Sequence, residues 1–260
     1  KLEKDITDAD SEILELKSER VDLQQHLKAK KLITLKTARG NRPILKFDQS
    51  TIFRPKKLGV ELLDNVGISQ LIPFIDWTPF FQTWDLAGPF PEILRDDVVG
   101  TEAVRVYNDG KRMLKRLVDG RWLTANAVMG LYPANSVNHD DIALYTDESR
   151  ADLAMTWHGL RQQTEKHSVE IDGKSVMRPS RCLADFVAPK ASGTADYVGL
   201  FAVTAGIGVD KKEKYFLDDL DDYSAIMLKA LADRLAEAFA ECLHHRVRTD
   251  LWGYAPHEAI

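Results

Sequence analysis

The stretch from Asp222 to Trp252 constrains this chain most, because Leu228, Leu231, Leu235, Ala238, Phe239 and Cys242 recur along it at helical spacing. That spacing gathers them on one face, so a long amphipathic helix must lie against a core that the rest of the chain supplies. Val99 to Leu117 repeats the pattern, with Val99, Ala103, Val106, Met113 and Leu117 on one side and Gly120 as its stop. Strand character belongs to Leu58–Val66, Ala127–Tyr132 and Ile142–Tyr145, and most clearly to Tyr197–Thr204, which reads as a buried strand. A polar loop is expected over Asn135–Asp141, a short helix over Ile68–Ile75, and a loop of about a dozen residues ahead of Asp222. Two long helices among non-repeating strands imply an α+β fold, with mixed or antiparallel strands packed against long amphipathic helices.

The ends of the chain read differently. Residues 2–30 carry neither Gly nor Pro, and Ile13, Leu16, Leu23 and Leu27 draw one narrow apolar stripe on a charged rod. This is a lead-in helix packed on the body or on a neighbouring domain; a coiled coil is the alternative, although Arg20 interrupts its seam. Residues 31–57 are irregular, punctuated by Gly40, Pro43 and Pro55, and resemble an arm or linker. The expected organisation is therefore a helical lead-in over 1–30 and one α+β domain over 31–260. Lys1-Leu2-Glu3-Lys4-Asp5 is neither an initiator nor a signal peptide, which suggests a piece of a longer polypeptide.

Charge and cysteine usage exclude several functions. Lys and Arg number 35 against 40 Asp and Glu, a net charge of -5, so the chain is not built to coat nucleic acid or anionic membrane. No apolar run approaches the ~20 residues of a membrane helix. Cys182 and Cys242 are the only cysteines, which rules out a disulfide framework and points to a reducing, cytoplasmic setting with both thiols buried as small apolar groups.

Several chemical signals fail on inspection. Gly206-Ile207-Gly208 imitates a dinucleotide fingerprint, but Lys211 stands where the third glycine belongs, so it reads as a turn. Cys242 and His245 have half-zinc-site spacing without a second half, so no metal site is expected. Asp218, Asp219, Asp221 and Asp222 precede a helix, where negative charge is stabilising. Two acids remain. Asp76 sits among Phe74, Trp77, Phe80, Phe81 and Trp84, where it either caps a turn at Thr78 or meets a ligand. Glu237 lies about 160° around the helix from Leu235, with Ile226, Ala230 and Ala240 near it. It either faces solvent or flanks a cleft that those small neighbours leave open.

Phe74-Ile75-Asp76-Trp77-Thr78-Pro79-Phe80-Phe81 followed by Trp84 resembles the activation domain of cobalamin-dependent methionine synthase. The resemblance continues in order through Val99-Gly100, Glu102-Ala103, Gly130 to Asn135, Leu160-Arg161-Gln162-Gln163, Cys182 to Pro189 and Asp196 to Gly199. It is densest from Asp221 to Glu241, runs on to Trp252-Gly253-Tyr254, and covers about residues 31–254. It implies a domain that presents S-adenosylmethionine to cobalamin held by a neighbouring domain of the same polypeptide. Inert cob(II)alamin then returns to methylcobalamin, with one electron from flavodoxin or a flavoprotein reductase. The enzyme implied is a 5-methyltetrahydrofolate–homocysteine methyltransferase, of which this piece alone would be inactive. The family's two ligand-contacting acids fall on Asp76 and Glu237, and acids suit a ligand whose sulfonium and amino groups are cationic. The family carries an Arg-Pro-x-Pro-Gly-Tyr stretch after its long helix, and this sequence reaches Ile260 without one. That departure lowers the affinity expected of this piece. It keeps open a rival reading, a non-catalytic docking module for flavodoxin or the cobalamin domain.

Overall fold

The computed structural model describes residues 31–165, 168–171 and 174–259; the expected lead-in helix over 1–30 lies outside them. The helices are α1 (Leu35–Gly40), α2 (Thr78–Gln82), α3 (Gly100–Asp119), α4 (Val209–Asp218) and α5 (Asp222–Arg246). The strands are β1 (Gly59–Val66), β2 (Thr124–Val137), β3 (Asp141–Tyr145), β4 (Leu153–His158), β5 (Ser168–Ile171), β6 (Lys174–Met177) and β7 (Asp196–Ile207). The fold is α+β. The described residues divide into two compact units: one holds those up to Ile52 together with those of Ala134–Asp196, the other Phe53–Pro133 with those from Tyr197 onward.

In the second unit α5 forms the spine of the core. All six residues of its apolar face are buried, as the spacing requires, together with Met227, Ala232 and Leu243. Asp221 caps its N-terminus by accepting from the Ser224 amide at 3.0 Å. The Ser224 hydrogen bonds hold that carboxyl below the usual range. Past Arg246 the helix widens into a π-turn over Val247–Leu251 rather than running on as α-helix to Trp252. α3 buries Ala103, Val106, Met113, Leu114 and Leu117 and stops at Gly120, as expected. Gly110 is where it admits the aromatic floor: a Cβ there would sit 2.9 Å from the Phe80 ring and 3.4 Å from the Trp77 ring.

β1 runs antiparallel to β2 from Gly59↔Leu131 to Val66↔Ala125, with a register shift between Leu63 and Val66. β7 also pairs with β2. Alternation along β2 sends Ala125, Ala127, Met129 and Leu131 into the core. β7 corrects one expectation: it is a strand, but its middle, Gly199–Ala202, is exposed, so its apolar run does not mark two buried faces. Another correction is α4, which occupies most of the expected loop. Gly208, at φ +103°, caps it in a conformation glycine adopts without strain. Only Phe216 of α4 is buried, too little to produce a periodic signal. Ile68–Ile75 forms two short 3₁₀ turns, Ile68–Gln70 and Ile72–Phe74, and not one helix; Pro73 lies within the second.

In the first unit the last residues of β2 pair with β3, and β3 pairs with β4, both antiparallel. The polar segment Asn135–Asp141 is therefore strand at its two ends, and the expected loop shrinks to the turn at residues 138–140. Asn135 is buried because its amide donates to the carbonyls of Ala188 (3.0 Å) and Thr194 (2.9 Å), and its Oδ1 accepts from Arg150. The arm is not wholly irregular either: Thr34 caps α1, and Gln49–Thr51 is a 3₁₀ turn. Arg161 organises this unit. Its fully buried guanidinium donates to Asp140, to both oxygens of Asp185, and to the carbonyls of Ser180 and His139.

Candidate ligand-binding site

Asp76 follows the Ile72–Phe74 turn and precedes α2, and both of these elements pack on α5. The Phe74 ring lies 6.0 Å from that of His245. Below the acid is an aromatic floor. Trp77 is only 8% exposed and meets Phe80 and Tyr107 edge-on at 5.1 and 4.8 Å between centroids. Trp84 is half-buried, its ring 4.9 Å from Tyr223. A rigid floor fixes the backbone of Asp76 while its carboxylate stays exposed. Asp76 Oδ1 accepts from the Thr78 amide at 2.9 Å, the turn-capping role that local spacing suggests. That bond occupies one oxygen. Oδ2 takes no hydrogen bond from the described residues.

Glu237 stands on α5 opposite the leucine face with its side chain 63% exposed, and it is paired. Arg234, one turn earlier, donates to Oε2 at 2.6 Å and to Oε1 at 3.1 Å, a two-pronged contact that fixes the plane of the carboxylate. Arg234 itself is buried and also donates to Asp233 at 2.6 Å. Around Glu237, Ala230 and Ala240 are half-buried and Ile226 is 46% exposed, so this face of α5 is only partly covered. Sequence reasoning missed Arg234. Its position three residues before Glu237 was the available signal, but an Arg beside Leu235 reads as solvated.

The described residues therefore place both acids in one unit, on elements packed together, each with a local partner. They also offer other recesses. A cavity of about 140 Å³ is lined by Met129, Leu131, Phe201, His244, Trp252 and Tyr254 at the π-turn. A larger one of about 720 Å³, wholly within the first unit, has neither acid in its lining. Cys182 and Cys242 are both free and buried, and burial pushes the Cys242 thiol up, away from nucleophilic use. Among the described residues no cluster of three or more His, Cys, Asp or Glu could hold a metal ion, and no helix is long and apolar enough to cross a membrane.

The family described as vitamin B12 dependent methionine synthase, activation domain, matches residues 67–260. The chain belongs to this family. Among solved structures, it is similar to one described as a crystal structure of the MetH reactivation domain bound to AdoHcy, at 49% identity and a TM-score of 0.77. The match covers 88% of this chain and 67% of that one. Within the activation-domain family match fall both candidate acids, the aromatic floor and the whole of α5. The Leu160–Gln163 and Cys182–Pro189 blocks find a structural explanation: Arg161 of one is clamped to Asp185 of the other at 2.7 and 2.9 Å.

Proposed function

We propose that this chain holds S-adenosylmethionine and presents its methyl group to cobalamin carried by a neighbouring domain of the same polypeptide. One electron from flavodoxin or a flavoprotein reductase accompanies the transfer, so that cob(II)alamin returns to methylcobalamin within a cobalamin-dependent methionine synthase. The carrying observation is the solved relative at 49% identity, bound to AdoHcy, which is the same ligand without its methyl. Such a relative does not favour the rival reading, a docking module that holds no ligand. We retain a cytoplasmic setting, in keeping with the two free, buried cysteines.

The sulfonium is itself the methyl donor, so the residues of this chain bind and orient. Asp76 and Glu237 are the groups whose charge suits that ligand. A cation about 4 Å from a carboxylate near a protein surface gains on the order of 4 kcal/mol before desolvation is subtracted. Glu237 already shares its charge with Arg234, whereas one Asp76 oxygen is unoccupied, so Asp76 contributes the larger part. The Trp77–Phe80–Tyr107 packing holds the backbone under Asp76, and the Arg234 fork holds the plane of the Glu237 carboxylate.

The test uses the full polypeptide carrying Asp76→Asn. Recovery of the cob(II)alamin form with S-adenosylmethionine and reductant should slow at least tenfold, while turnover of enzyme already methylated stays normal. Normal recovery with impaired turnover would overturn the assignment.

A further inference from the structure

We propose that the recess of about 720 Å³ in the first unit is a binding site for a small organic carboxylate with an apolar body. Its roof is a strap, residues 42–47, pinned at both ends. Asn41 holds one end: its carbonyl accepts from the Ser180 amide at 2.9 Å, and its side chain donates to the Arg178 carbonyl at 3.0 Å. Gln49 holds the other, exchanging hydrogen bonds of 2.8 and 3.2 Å with the backbone of Ala195. Between these pins no backbone hydrogen bond ties residues 43–47 to the other described residues. The floor is fixed separately. The Ser136 amide and hydroxyl donate to the carbonyls of Ala188 at 3.0 Å and Val187 at 2.9 Å. Arg161 holds the His139 carbonyl at 3.1 Å, in a turn where Asn138 and His139 both take positive φ, +50° and +72°. Pro43, Leu45, Phe47, Val137, Val187 and Pro189 line the space between strap and floor. A largely apolar recess of this size, shaped by the fold itself, suits one small molecule.

The polar lining sets the charge of that molecule. Asp185 is the only acid among the lining residues, and it is spent: Arg161 donates to both of its oxygens and the Cys182 amide to one. Acids beside the lining are offset as well. Asp140 lies between Arg161 and Arg39, Asp141 meets His158, and Asp48 is matched by Lys46 two residues away. Arg42 and Lys190 remain. Both are exposed and neither makes a salt bridge among the described residues. The Arg42 guanidinium gives one N–H to the Arg39 carbonyl, and the Lys190 ammonium stands 5.6 Å from the Tyr145 ring centre. The side chains of Asn138 and His139 add exposed donors at the same recess. Uncommitted cationic donors around an apolar space, with the one carboxylate already used, call for an anionic acceptor on an apolar body. A carboxylate fits, since a guanidinium grips its two oxygens as a fork. This inference is independent of the S-adenosylmethionine site, since neither Asp76 nor Glu237 lines the recess.

The experiment measures binding of 2-naphthoate to the full polypeptide by equilibrium dialysis, beside 2-naphthalenemethanol, which has the same rings without the charge. Naphthoate should bind at least tenfold more tightly than the alcohol. Arg42→Gln with Lys190→Gln should weaken naphthoate at least tenfold and change the alcohol less than twofold. Phe47→Ala should weaken both probes by about threefold or more. A control pair in the second unit, Lys211→Gln with Lys214→Gln, should change neither by more than about twofold. Octanoate as a competitor separates two sources of the same chemistry: displacement extends the class to alkyl carboxylates, failure narrows it to aryl ones, and either upholds the site. If the Arg42 and Lys190 pair unfolds the chain, Phe47→Ala decides. The proposal is overturned if acid and alcohol bind equally, or if the control pair loses as much as the recess variants. It is also overturned if inorganic phosphate displaces naphthoate as effectively as unlabelled naphthoate does, since a bare anion needs no apolar wall.

Discussion

Replacing Arg161 with Met should be among the most damaging single changes in the first unit. The Arg161 side chain is 0% exposed, and its partners Asp140 and Asp185 are 7% and 2% exposed. Its guanidinium donates five hydrogen bonds: 2.7 Å to Asp140, 2.7 and 2.9 Å to Asp185, 2.7 Å to the Ser180 carbonyl and 3.1 Å to that of His139. Removing one partner of a buried ion pair costs about 3–5 kcal/mol, because the other charge stays buried and uncompensated. Here each acid keeps one donor, Arg39 for Asp140 and the Cys182 amide for Asp185, which places the loss toward the lower end. Arg161→Lys should recover less than half of it, since one ammonium cannot reproduce a fork that grips two carboxylates. Urea unfolding gives the free energy, and hydrogen exchange at β3 amides localises it to this unit. A loss below about 1 kcal/mol with unchanged exchange at β3 would refute the reasoning and make the cluster equivalent to a surface ion pair.

Other outcomes follow from the same geometry. Burial pushes the Asp140 carboxyl up, but hydrogen bonds from Arg161 and Arg39 outweigh it and leave the group below its ordinary value. Stability from this depressed carboxyl is present above the unfolded carboxylate range, about pH 4, and is lost as pH falls further. The gap between wild type and Arg161→Met should therefore narrow on acidification through pH 4, as parallel urea titrations would show; a constant gap would contradict it. Gly110→Ala should destabilise: the helix gains about 1 kcal/mol, but crowding the buried Phe80 and Trp77 rings costs about 1–3 kcal/mol. Thermal melts check the sign, and a stabilised variant would show that the rings yield.

How much was legible depended on how each segment earns its burial. α3 and α5 declare themselves because each places a full apolar face against one core, so spacing alone located them and Gly120 ended the first. α4 was hidden because its attachment is one buried ring, Phe216, among lysines that stay in solvent. β7 misled in the opposite sense: Tyr197–Thr204 is apolar, yet Leu200 and Phe201 are 38% and 41% exposed. Asn135 looked like loop because its polarity is visible in sequence, whereas the Ala188 and Thr194 carbonyls that satisfy it come from more than fifty residues away. Arg161 was hidden for the same reason. For the acids, composition and spacing left a local role and a ligand role open, and the structure displays the local ones, a turn cap at Asp76 and an exposed carboxylate at Glu237. Family resemblance supplied the idea that a cationic ligand draws on both.

That idea has a direct measurement, calorimetric titration of S-adenosylmethionine into the full polypeptide and into its Asp76→Asn and Glu237→Gln variants. Both amides keep the size and shape of the acid, so melting temperatures should stay within about 2 °C of wild type, as for surface positions. Binding should weaken in each, by roughly tenfold or more for Asp76→Asn and less for Glu237→Gln, whose charge is already shared with Arg234. Unchanged binding in both variants, with melting unchanged, would contradict the assignment of these acids even though the family stands.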